Sequence, residues 1–250
     1  MPGAPGPVVG FDLDLTLVDS AAGIGVTLRA ALAAEGSAAR PTDGELHPLI
    51  GAPLERTVAV VDPAADAHAV ADRYRALYPA LGVPATTLLP GVLDAFAAIR
   101  ARGGRVLVVS AKVEPAVHAV LRHVGLGAPP VAPDLVVGGL FAGAKGVRLR
   151  QERADVYVGD HPGDMEAARV AGAVAVGVSS GGADAAALRA AGADVVLPGL
   201  ESFPAWLEEW DAGRTRSSAA SGPGLDHQPG EGHGEPDRAE QGERREAAGG

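Results

Sequence analysis

The sequence predicts an α/β fold: a Rossmann-like parallel sheet core interrupted by an inserted helical cap domain. Three observations predict it. Short apolar runs recur along the chain, helical patterns separate most of them, and motifs rich in acids and hydroxyls follow several runs directly. Near-continuous apolar strands alternating with helices indicate a parallel sheet covered on both faces. Ligands of such sheets bind outside the carboxyl ends of the strands. Each motif can therefore be asked whether it lies just after a strand.

The strand signals fall at residues 8–11, 105–109, 134–137, 156–158, 174–178 and 194–197. The interval between the first of them and Pro90-Gly91 reads as helices, with no strand. Ser20 is placed to cap a helix that Gly36 would stop. A second helical pattern covers 64–81, with Val70, Tyr74, Leu77 and Tyr78 on related faces. Residues 17–89 are therefore expected to form the cap, and 1–16 with 90–211 the core. After Trp210 the composition shifts to Gly, Ser, Pro, Glu and Arg, so 212–250 are expected to be a disordered tail. Its histidines, His227 and His233, are expected to be solvated.

Composition narrows the function classes. The 250 residues are 47% hydrophobic, enough for one or two packed domains. No cysteine is present, which excludes disulfides, thiolate nucleophiles and Cys-zinc sites. No apolar run approaches the roughly 20 residues of a membrane span, and the first residues carry no export signal. A cytoplasmic protein with no membrane partner is expected. The net charge of −10, without a basic stretch, argues against a nucleic-acid partner. Only two lysines occur, Lys112 and Lys145, against nineteen arginines. Arginine's broad fork does not reproduce the compact charge of an ammonium, so these two positions are informative.

The strongest motif is Phe11-Asp12-Leu13-Asp14-Leu15-Thr16, directly after the first strand. Carboxylates two residues apart point the same way on a continuing strand and can converge on one metal and one substrate. The bland alternative is a turn whose acids bond local backbone. A calcium loop would need a central glycine and a closing glutamate that are missing. The second motif is Gly159-Asp160-His161-Pro162-Gly163-Asp164, where Asp164 alone could be an N-cap and His161 an ordinary loop residue. The third is Ser110-Ala111-Lys112, where a hydroxyl and backbone N–H groups can hold phosphate oxygens, or simply cap a helix. The fourth is Lys145, otherwise a solvated lysine at a helix start. A carboxylate attacking a phosphate meets like-charge repulsion, roughly 4 kcal/mol at about 4 Å and an effective dielectric of about 20. A divalent cation and a lysine offset it. Magnesium prefers oxygen ligands and keeps water, which suits a few carboxylates plus substrate phosphate.

The order and spacing of these motifs resemble the haloacid dehalogenase-like hydrolase superfamily, and especially its phosphoglycolate-phosphatase-like branch, over about residues 8–200. The resemblance implies a phosphatase that hydrolyses a small phosphate monoester. Asp12 is then the nucleophile that forms an aspartyl-phosphate, and Asp14 the general acid and base. Thr16 orients the first loop at the phosphate, while Ser110 and Lys145 bind that phosphate. Asp12, the backbone carbonyl of Asp14, and Asp160 hold Mg2+, with Asp164 supporting the site. True dehalogenases usually lack the second aspartate, so Asp14 points to phosphate chemistry. Leu49-Ile50-Gly51-Ala52-Pro53-Leu54 also resembles a cap segment of that branch. Three departures stand out: Leu15 where glycine is frequent, Ser-Ala-Lys where many relatives have Thr-Asn-Lys, and no proline after Lys145. A phosphomutase of the same fold and a catalytically silent binding protein are the alternatives. The identity of the metabolite, the oligomeric state and the role of Lys112 stay open at this level.

Overall fold

The computed structural model describes residues 5–220. The first strand, β1 (Val8–Phe11), leads into the acidic loop and a two-residue strand, β2 (Val18–Asp19). Four helices follow: α1 (Ala21–Ala34), α2 (Asp43–Leu46), α3 (Leu54–Val61) and α4 (Ala67–Leu81). A second short strand, β3 (Thr87–Leu88), pairs antiparallel with β2. Together they form a ribbon at the two ends of the helical segment, where the sequence reading placed no strand. Two residues are too few to show the alternation that marks a strand. Ser37 Oγ donates to Asp62 Oδ2 at 2.6 Å, tying the turn after α1 to the end of α3. Asp66 caps α4 by accepting from the His68 and Ala69 N–H groups at 3.0 and 3.1 Å.

The core resumes with α5 (Val92–Ala101), β4 (Arg105–Val109), α6 (Glu114–His123) and β5 (Leu135–Val137). It continues through α7 (Gly143–Gln151), β6 (Val156–Gly159), α8 (Pro162–Ala171), β7 (Val174–Val178), α9 (Ala185–Ala190), β8 (Val195–Leu197) and α10 (Phe203–Ala220). The six long-range strands form one parallel sheet in the order β5-β4-β1-β6-β7-β8. Side chains alternate across it. Val106, Val108, Val156, Val158, Val176 and Val178 join Phe96, Ile99, Val117, Phe203 and Leu207 in one core layer. Leu107, Val109, Tyr157 and Ala175 join Leu149, Met165, Ala168 and Leu188 in the other. This two-sided burial is what unbroken apolar runs require.

Helix α10 continues to Ala220, past the change in composition at Trp210. Within it Arg214 donates to the Pro5 carbonyl at 3.3 Å and to Asp211 at 2.8 Å. Residues 221–250, which hold the rest of the expected tail, lie outside the described residues. No helix among the described residues is long and apolar enough to cross a membrane.

Candidate active site

The site forms where the sheet changes direction. From β1 the chain runs outward through β4 and β5, then crosses back to β6 on the other side of β1. The ends of β4, β1 and β6 are therefore neighbours, and a crevice opens above them. Asp12 continues β1, its N–H donating to the Val158 carbonyl of β6 at 2.9 Å. The next residues wind tightly, because the Leu13 carbonyl accepts from the N–H groups of Leu17 and Val18 at 2.9 and 3.1 Å. That turn forces Leu15 to φ +58°. A non-glycine residue there costs roughly 1–2 kcal/mol, which explains why glycine suits the position. Leucine holds it because its side chain is buried, worth roughly 1.5–3 kcal/mol. Ser180 Oγ also donates to the Leu15 carbonyl at 2.8 Å.

Two lysines divide the carboxylates between them. Lys145, in the first turn of α7, lies 3.0 Å from Asp12 Oδ1 and 2.8 Å from Asp164 Oδ1. Lys112, after β4, lies 3.1 Å from Asp14 Oδ2 and sits over the Tyr78 ring of α4, 4.2 Å from its centroid. Burial alone would lower both ammonium groups, but the adjacent carboxylates outweigh it and hold them above their usual range. Thr16 Oγ1 donates to Asp160 Oδ1 at 2.8 Å. Ser20 Oγ donates to Asp14 Oδ1 at 2.6 Å. The hydroxyl expected to cap α1 makes no cap bond there and holds Asp14 instead.

Asp164 reaches back within its own helix start. The His161 N–H donates to Asp164 Oδ2 at 3.1 Å, and the Gly163 N–H donates to His161 Nδ1 at 2.9 Å. His161, expected to be an ordinary loop residue, is thus the N-cap of α8, and Asp164 is the third helical residue that closes the capping box while also pairing with Lys145. Gly181, in the loop after β7, packs so closely on Asp160 that a Cβ there would collide with Oδ2. The Ser110 hydroxyl is buried and accepts from the Lys112 N–H at 3.3 Å.

Asp12, Asp160 and Asp164 each bring a carboxylate oxygen within 4.8 Å of the others. Burial pushes Asp12 up to about 6, against the pull of Lys145 and with help from Asp164 and Asp14. Burial, with Asp164 and Asp12 nearby, also raises Asp160 well above the carboxylate range. Asp12 Oδ1 is buried with no hydrogen bond, its ion-pair partner Lys145 standing 3.0 Å away. Asp14 lies outside this triad. It lines a cavity of about 290 Å³ between the helical segment and the core. Leu49, Ile50, Tyr74, Lys112 and Phe141 share that wall. The segment touches the core at a second point, where Gly51, at φ +95°, faces the His161 ring.

All seven residues singled out in the sequence meet at this crevice, every one of them buried. Ser20 was expected only as a helix cap and Tyr78 only on a helix face, and Gly181 was not singled out. Ser20 follows Asp14 by six residues, a spacing that only the tight turn between them turns into contact. Nothing local to Tyr78 or Gly181 marks their place at the site.

A family profile described as haloacid dehalogenase-like hydrolase matches residues 9–169. The chain belongs to the haloacid dehalogenase-like hydrolase family. Among curated relatives of this chain, the tyrosine-protein kinase PtkA of Mycobacterium tuberculosis is 32% identical over 197 residues, covering 73% of this chain. The match spans 66% of the length of that relative. The phosphoglycolate phosphatase of Cereibacter sphaeroides is 33% identical over 185 residues, covering 66% of this chain and 82% of the relative. A solved haloacid dehalogenase-like hydrolase from Bacteroides fragilis superposes with a TM-score of 0.70 at 24% identity, over 78% of this chain and 98% of that one. That likeness concerns the fold. Hydrolases of this family generally use a divalent metal. The acid triad and the unbonded Asp12 Oδ1 fit such an ion.

Proposed function

We propose that the protein is a magnesium-dependent phosphatase that hydrolyses a small phosphate monoester through a phosphorylated Asp12. One observation carries the reading: the buried Asp12 carboxylate, one oxygen without a hydrogen bond, lies among two further acids and a lysine at the sheet's switch point. The two curated relatives are, by name, a kinase and a phosphatase; phosphoryl transfer is common to both.

Asp12, Asp160, Asp164 and the Asp14 carbonyl would hold Mg2+, which supplies the positive charge that lets a carboxylate approach a phosphate. Lys145, fixed by Asp164, adds an ammonium beside the nucleophile. Ser110 and Thr16 line the place of the phosphate oxygens. An Asp12 oxygen bonds to phosphorus as the ester P–O bond breaks, and Asp14 protonates the departing oxygen. Asp14 then takes a proton from water, whose oxygen bonds to phosphorus as the bond to Asp12 breaks. Phosphate leaves and both aspartates are restored. The leaving group lies on the Asp14 side, because Asp14 faces the cavity. Residues 17–89 act as a cap that shields this chemistry from bulk water.

Rapid quenching during turnover of a radiolabelled ester tests the reading. Label is expected on Asp12, and exhaustive chelation is expected to stop turnover. Label on Asp14, or full turnover without a divalent cation, would refute it. Release of label as inorganic phosphate distinguishes a phosphatase from a mutase, which returns it to a second position of the substrate.

A further inference from the structure

The cavity beside Asp14 has a chemical character that the phosphate site does not dictate. Its wall is built largely from Leu46, Leu49, Ile50, Leu54, Tyr74 and Phe141. Its described cationic groups are already matched. Lys112 is 3.1 Å from Asp14. Arg75 is 2.5 Å from Glu55 and 2.9 Å from Asp72. A leaving group with its own carboxylate would have to compete with Asp14 for Lys112 and with Glu55 and Asp72 for Arg75, and a buried charge without a full partner is costly. A polyhydroxylated sugar would meet Glu55, Thr57 and the unpartnered Tyr78 hydroxyl, while its hydroxyls turned to the Leu49, Ile50 and Phe141 side would face apolar wall. At about 290 Å³ the space is nearly twice the roughly 150 Å³ of an apolar cavity that binds benzene.

Resting on the phosphatase reading above, we propose that the substrate's leaving group is apolar and uncharged, of aryl or medium-chain alkyl size, and is seated against Leu49, Ile50, Tyr74 and Phe141. The phosphate enters toward Asp12, and the ester oxygen sits beside Asp14. Specificity is then set by apolar burial in the cavity. Lys112 is a positioning residue for Asp14.

The test is a panel of esters with Mg2+: methyl, butyl, hexyl and phenyl phosphate, phosphoglycolate and a hexose phosphate. The expected result is a kcat/KM that rises about fourfold per added methylene until the cavity is filled, with phenyl and hexyl phosphate at least tenfold above phosphoglycolate and the hexose phosphate. Ile50→Asn and Leu49→Asn are expected to reduce the hexyl-to-methyl ratio about tenfold. A flat alkyl series, or phosphoglycolate or the hexose phosphate as best substrate, would overturn this inference and leave the phosphatase reading standing. If no ester turned over and Asp12 took no label, that reading would fall instead. Calorimetry then decides the cavity's preference alone. Benzylphosphonate binding more tightly than phosphonopropionate supports the apolar site; the reverse order overturns it.

Discussion

Replacing Asp12 with asparagine should stabilise the metal-free protein while ending turnover. Asn has nearly the shape of a neutral Asp, so the change isolates the charge. Burial raises Asp12 from 3.8 to about 6. At about 1.4 kcal/mol per pH unit, that makes the ionised carboxylate about 3 kcal/mol less favourable in the folded than in the unfolded chain. The Lys145 contact is already included in that balance. Between pH 3.8 and about 6, the folded protein keeps a proton that the unfolded chain has released. Wild-type stability from this group therefore falls as pH rises through that window. It stays low above it.

Asp12→Asn cannot ionise and lacks this slope. Urea denaturation in chelator, compared across pH, should show the variant more stable by about 3 kcal/mol above about pH 7. The difference should shrink toward nothing as pH approaches the ordinary carboxyl range. In melting temperature it corresponds to about 6–12 °C for a chain of this size. Magnesium should raise wild-type stability more than that of the variant, since the variant has lost a ligand. A variant less stable than wild type, or a difference independent of pH, would refute the electrostatic account of Asp12.

Three further changes test other parts of the site. Lys145→Met leaves Asp12 and Asp164 buried without their ammonium and should cost about 3–5 kcal/mol in chelator; adding Asp164→Asn should recover part of it, and a loss near zero on urea denaturation would count against the paired arrangement. Asp14→Asn should lower the single-turnover rate about 100- to 10,000-fold while Asp12 still takes label slowly; an unchanged rate would remove Asp14 as the proton donor. Leu15→Gly relieves the left-handed strain but loses a buried side chain and gains unfolded-state freedom, so denaturation should show a net loss of about 1–2 kcal/mol. A gain in stability would mean that the strain outweighs the burial.

The six core strands were legible because each is apolar on both faces, leaving an unbroken run of hydrophobic letters. The acids were legible because Asp12 and Asp160 each stand one step beyond such a run, with Asp14 and Asp164 close behind. What the sequence hid depends on distance in the chain. Thr16 and Asp160 are 144 residues apart, and only the adjacency of β1 and β6 joins them. Lys112 was conspicuous as one of two lysines, yet its partner depended on a turn that brings Asp14 toward it and on α4 presenting Tyr78. Ser20 was read through the ordinary use of serine at a helix start. Asp14, buried and needing a second donor, draws that hydroxyl away from the helix. The ribbon of β2 and β3 was too short to show a period, and α10 continued where composition alone suggested an end.

The charge balance of the crevice ties these observations together. Asp12, Asp14, Asp160 and Asp164 are buried there. They face two ammonium groups, whose side chains are less than a tenth exposed. With all groups ionised the acids exceed the lysines by two charges. Without a metal, burial and then the neighbouring acids hold the Asp12 and Asp160 carboxyls above their ordinary range. A single divalent cation would match the same excess of two charges and favour the ionised carboxylates. The arrangement also separates the roles of the two lysines. Lys145 pairs with Asp12 and Asp164 of the acid triad, whereas Lys112 pairs with Asp14, at the edge of a largely apolar cavity. On the proposed mechanism, proton transfer to the leaving group and seating of that group would take place on one side of the crevice, and nucleophilic attack on the other. A phosphate bridging the two sides is the one substrate group that both require.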